Sequence, residues 1–109
     1  EVAVGEDGVA LNFRVMDPPS AEDCDRLAAF GREHDLRILL QPGNAETTYA
    51  LWPAEIADLY YRLPAYDVEL AFRTHHFTQV NADINRQMIA RAIELLDVQP
   101  GQRVLDLGV

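Results

Sequence analysis

Phe77-Thr-Gln-Val-Asn81 is the stretch that decides how the chain is read. It opens into Ala82 to Asp97, where Ile84, Met88, Ala92 and Leu95 recur at helical spacing with Ile89 and Leu96 beside them, so a long amphipathic helix is expected. Asn81 is its expected N-cap. Asp97-Val-Gln-Pro-Gly101 closes the helix, and Val104-Leu-Asp-Leu107 then reads as a short apolar strand with an acid near its C-terminal end. The first strand of a nucleotide-binding α/β sheet has this form. The amides of Gln79, Asn81 and Asn85 donate and accept at once, which suits them to capping a helix or to holding a polar small molecule.

Working back from the junction, Asp67 to Arg73 carries Val68, Leu70 and Phe72 on one face and is expected to run antiparallel to Leu59–Leu63 across a Pro64-Ala65 turn. Pro53 to Asp58 reads either as connection or as one short helical turn opened by the proline. Thr47 to Trp52 is β-prone and should return antiparallel to Leu36–Gln41 across Pro42-Gly43-Asn44. Ser20 with Asp23 three residues on has capping-box spacing, and Cys24, Leu27, Ala28 and Gly31 then mark one packed helix face, with Phe30 beside it. Val9 to Met16 alternates with Leu11, Phe13 and Val15 on the core side and Asn12 and Arg14 opposite, and Gly5 to Gly8 pairs it with Glu1–Val4 as a hairpin. The expected class is α+β: an antiparallel β-meander with a packed helix.

The 109 residues suffice for one modest core, and a composition half apolar and one-quarter charged is that of a globular chain. No apolar run approaches bilayer length, and Glu1-Val-Ala-Val4 lacks the pattern of a signal peptide, so the chain is read as soluble, unexported and cytoplasmic. The single cysteine, Cys24, excludes an internal disulfide. A net charge of −9 argues against this chain tracking nucleic-acid phosphates by itself.

Three sets of side chains invite chemistry. Cys24 sits in a first helical turn, but Glu22, Asp23 and Asp25 share it and oppose a thiolate, so a buried structural cysteine is the expectation. His75-His76 could suggest a metal site. Neighbours on an extended chain point to opposite faces, however, and no third ligand stands at suitable spacing, so no metal is expected. Tyr60, Tyr61 and Trp52, on alternating strands, read as sheet packing in preference to a base-stacking platform.

Phe77-Thr-Gln-Val-Asn81, the continuation Ala-Asp-Ile-Asn85-Arg-Gln-Met88, and Leu96-Asp-Val-Gln-Pro100-Gly-Gln-Arg-Val-Leu-Asp-Leu107 together resemble the RNA uracil-C5 methyltransferases. The branch acting on bacterial 23S ribosomal RNA is the nearer, and the tRNA-modifying branch more distant. The resemblance is dense from Leu59 to Leu107 and looser before. It implies an S-adenosyl-L-methionine (SAM)-dependent parent in which a cysteine adds to C6 of an extruded uracil, C5 is methylated, and a base removes the C5 proton. By the same resemblance Gln79 contacts SAM and Phe77 lines the wall between cofactor and flipped base. Read from the residues alone, Gln79 is better explained as a backbone-bonding amide at a helix entrance.

The family's V-L-D-L continues into Phe-Cys-Gly-x-Gly-Asn, where this chain has Gly108-Val109. The resemblance therefore places the nucleophilic cysteine, the proton-abstracting glutamate and the remaining SAM contacts outside this chain, which holds no catalytic residue. It places outside as well an oligonucleotide-binding domain and the cysteines of an iron–sulfur cluster known in the ribosomal branch. The expected organisation is a central α+β subdomain over 1–76 and, over 77–109, the first helix and strand of a Rossmann-like methyltransferase domain, with Gly108-Val109 as the boundary of an internal fragment. Ribosomal RNA would be met through the parent's other domains. The alternatives are a non-catalytic RNA- or protein-binding module on the same scaffold, or the corresponding part of the tRNA enzyme.

Overall fold

The computed structural model describes residues 1–55 and 57–107. The chain forms two compact units, Glu1–Thr78 and Gln79–Val109.

In the first unit β1 (Val2–Gly5) and β2 (Gly8–Arg14) form the expected hairpin around Glu6-Asp7, in register from Val2 opposite Leu11 to Gly5 opposite Gly8. Helix α1 (Ala21–Glu33) starts where Ser20 Oγ accepts the Asp23 N–H at 3.1 Å and donates to the Asp23 carboxylate at 2.7 Å. It ends where Asp35 takes a left-handed conformation, φ 53°, which a short polar side chain tolerates. Strand β3 (Leu36–Gln41) is followed by a 3₁₀ turn at Ala45–Thr47 and β4 (Tyr49–Trp52). The sheet order is β1-β2-β3-β4, and β5 (Leu59–Leu63) and β6 (Val68–Phe72) make a separate antiparallel pair.

The meander expectation needs correction, because β3 lies parallel to β2, from Val9 beside Leu36 to Arg14 beside Gln41. A 13-residue helix between two strands carries the chain back to the end at which the first strand began, so the next strand enters in the same direction. Only the β3–β4 return is antiparallel on that side. The expectation of a helical turn within 53–58 includes Ile56 and lies outside the described residues, as does the boundary at Gly108-Val109.

Both faces of the sheet are covered, which also corrects the reading of β2. Ala3, Ala10 and Leu39 pack with Leu59 and Phe72 of the hairpin on one face, with Tyr61 alongside. The other face receives α1, whose Gly31 lies against Ile38 and Trp52. Asn12 consequently falls on the hairpin side, 3 % exposed, where its amide donates to Gln41 Oε1 at 2.9 Å, while Phe13 remains partly exposed. A strand covered on both faces loses the simple alternation that marks a half-buried one.

In the second unit α2 (Ala82–Leu96) is capped by Asn81, whose Oδ1 accepts the Ile84 N–H at 3.0 Å, and it closes at Asp97 in the left-handed region, φ 46°. Its stripe of Ile84, Met88 and Leu95 is exposed. The strand expected at Val104–Leu107 is not formed, since residues 102–107 carry no regular structure and Val104, Leu105 and Leu107 are exposed. A parallel strand needs a neighbour for its ladder, and the described residues of this unit contain none.

Candidate functional site

The approach to the junction is a tight turn. After β6 the His76 N–H donates to Arg73 O at 2.9 Å, and the Arg73 N–H donates to His76 Nδ1 at 3.3 Å. This turn brings the rings of His75 and His76 edge to face at 4.5 Å, contrary to the expectation that they point apart. The extended-chain argument fails because the backbone is not extended there. No group of three or more His, Cys, Asp or Glu suited to a metal ion occurs among the described residues.

Phe77 follows, 87 % exposed. An aromatic side chain left in the open after a turn contributes little to its own unit's core and is available to a ligand or to further sequence. Beyond it Gln79 is exposed, and among the described residues its side chain has no hydrogen-bond partner. The capping role that its amide could have played falls to Asn81, so helix α2 does not need Gln79. Phe77 stands next to the last residue of the first unit, Thr78, and Gln79 opens the second.

Cys24 is free and half-buried on α1, less enclosed than expected, beside the Glu22–Arg26 ion pair at 2.6 Å and the Asp23 carboxylate that bonds Ser20. No base stands against it among the contacts described. The aromatic residues divide between the two faces of the sheet. Tyr61 meets Phe72 at 5.9 Å on the hairpin side, whereas Trp52 lies beside α1 with the Arg32 guanidinium 4.5 Å above its ring. Arg32 is twenty positions away in sequence, and reading only neighbouring residues missed this cation–π partner.

Sequence reasoning also missed a polar clasp that fixes the hairpin against the sheet. Asp7 accepts the Tyr60 N–H at 3.0 Å and a guanidinium hydrogen bond from Arg37 at 2.8 Å, while Arg37 donates to Asp58 O at 3.0 Å. Glu6 accepts the Arg62 N–H at 3.0 Å, and its own N–H donates to Tyr60 O at 2.8 Å. Partial burial pushes the Asp7 carboxyl up, but the Arg37 and Tyr60 hydrogen bonds outweigh it and leave the group below its ordinary 3.8. The only local signal was Asp7-Gly8, which announces a turn and not what the turn holds.

A cavity of about 150 Å³ lies between the four-stranded sheet and the β5–β6 hairpin. Leu39, Leu59 and Phe72 line it from below, and Glu46, Arg73 and Thr74 reach its rim.

No family model matches the chain. Among curated proteins it is 50 % identical over 107 residues to one from Xanthomonas campestris pv. campestris, 47 % to one from Aromatoleum aromaticum and 50 % to one from Acidithiobacillus ferrooxidans. Each carries the name 23S rRNA (uracil(1939)-C(5))-methyltransferase RlmD. The alignments cover 98 % of this chain and 24–25 % of the relatives, so the chain spans about a quarter of their length.

Proposed function

We propose, starting from a chain that belongs along 98 % of its length to the RNA (uracil-C5)-methyltransferase family, that it is part of a SAM-dependent enzyme forming 5-methyluridine in 23S ribosomal RNA. The alignment carries this reading: it is 50 % identical over 107 of the 109 residues, a span that takes in the junction and α2 as well as the first unit. Residues 1–76 are then a central α+β subdomain and 77–109 the opening of the methyltransferase domain. The nucleophilic cysteine and the proton-abstracting base belong to the parent's remaining sequence, and so would any iron–sulfur cluster.

The residues present fit a partial cofactor contact. SAM supplies an electrophilic methyl group, and its polar amino-acid and ribose groups need hydrogen-bond partners. Gln79 offers an exposed amide with one acceptor and two donors and no partner among the described residues, held two residues before the cap of α2. Phe77 offers an apolar plane, suited to a wall against a flipped base. With a net charge of −9 the chain is a poor tracker of phosphate, so ribosomal RNA is engaged mainly by other parts of the parent.

The test is Gln79→Ala in the full-length parent, read by SAM titration and thermal melting together. An amide that bonds SAM costs about 1–3 kcal/mol when removed, roughly five- to 150-fold in cofactor affinity, with the melting temperature of the free protein little changed. A variant that binds SAM like wild type but melts markedly lower would make Gln79 a structural residue.

A further inference from the structure

We propose that the cavity between the sheet and the β5–β6 hairpin is a cradle for a single pyrimidine base. Its volume of about 150 Å³ matches that of cavities which admit one benzene ring, enough to seat a six-membered heterocycle. The floor is apolar: Leu39, Leu59 and Phe72 are all buried, and a flat ring face laid there displaces water from apolar surface. The rim is polar with both hydrogen-bonding senses. Glu46 is an acceptor, Arg73 a donor, and the hydroxyls of Thr48 and Thr74 can do either. Thr74 is buried, and Thr48 Oγ1 is buried with no partner.

That combination selects among occupants. An anion is disfavoured by the Glu46 carboxylate and by Asp58, which already holds Arg73 Nε at 3.2 Å. A hydrocarbon side chain would fill the floor but leave the buried hydroxyls of Thr48 and Thr74 without a new partner, which costs free energy where water is excluded from them. A neutral pyrimidine satisfies both parts, presenting an N–H to Glu46 and carbonyl oxygen to the Arg73 and threonine donors. That the base arrives on an RNA strand rests on the function proposed above; the ring chemistry of the cavity does not.

The experiment titrates the 109-residue chain with uridine and with cytidine, both uncharged at neutral pH, while amide resonances are followed by NMR. Ribose and benzene are the controls. Saturable shifts at Thr48, Leu59 and Thr74 are expected with at least one nucleoside and not with ribose. Ala45→Leu, which narrows the cavity, and Thr48→Val, which removes the hydroxyl, should each weaken binding at least tenfold while the rest of the spectrum is unchanged. Nucleosides that leave these amides unmoved, or ribose that moves them equally, would overturn the proposal. Benzene binding without nucleoside binding would overturn it in favour of an apolar side chain. A second arm separates this idea from the parent's activity: the full-length protein is assayed for methyl transfer to 23S rRNA, wild type beside Ala45→Leu. Absence of transfer by the wild type counts against the methyltransferase reading alone. Transfer with an unchanged KM for RNA in the variant overturns delivery of the base by the substrate strand.

Discussion

A methyl group built on Gly31 would stand 2.6 Å from Ile38 Cγ1 and 2.9 Å from both Leu36 O and Trp52 Cδ1. Two of these neighbours belong to β3, so helix and sheet would have to separate. Gly31→Ala is therefore expected to lower stability by about 1–3 kcal/mol in urea denaturation, despite alanine's better helix propensity. At Asp7 the folded pKa is depressed, so the stabilisation it gives is present above the unfolded carboxylate value and is lost as pH falls through the lower, folded value. Asp7→Asn should flatten the acid limb of the stability profile below about pH 4, and an unaltered limb would show that the clasp contributes nothing there. The caps at Ser20 and Asn81 were legible in the sequence because donor and acceptor lie three residues apart. Asp7 and Arg37, separated by 30 positions, were not, since nothing local marks a guanidinium that arrives from another strand.

Elements governed by short-range chemistry were likewise read correctly: both helices, the β1–β2 hairpin, the β3–β4 return and the β5–β6 pair. Strand direction and strand faces depend on what packs above and below, and there the reading failed. The parallel β2–β3 pairing and the buried Asn12 both follow from a sheet covered by α1 on one side and by the hairpin on the other. Gly5 belongs to the same arrangement, because a Cβ there would come within 3.0 Å of Tyr60 O, where the second pair of strands closes on the first. The apolar run at Val104–Leu107 carries strand-forming residues without a strand beside them, so amide exchange at Val104 and Leu105 should be fast in a monomer of this chain, while Tyr60 and Arg62, bonded to Asp7 and Glu6, exchange slowly. Strong protection at Val104 and Leu105 in a demonstrated monomer would mean that the segment finds a partner after all. Asn81→Ala should cost about 1 kcal/mol of stability, measured by thermal melting, because it strips the cap from α2.

On the scale of the whole molecule, the chain joins a well-packed first unit to a second whose apolar helix stripe is exposed, and it spans about a quarter of the relatives it matches. Phe77 and Gln79 were proposed as site residues from the resemblance of the pattern around them and not from any contact, and both are exposed. On the function proposed above, the reactive groups of uracil methylation belong to the parent's remaining sequence, and Cys24, half-buried among acidic neighbours, is not expected to act as the nucleophile. The most direct measurement is methyl transfer from labelled SAM to 23S ribosomal RNA, run with the 109-residue chain and with the full-length parent side by side. Label should enter RNA with the parent and not with the isolated chain. Transfer by the isolated chain that is abolished by Cys24→Ala would contradict the account.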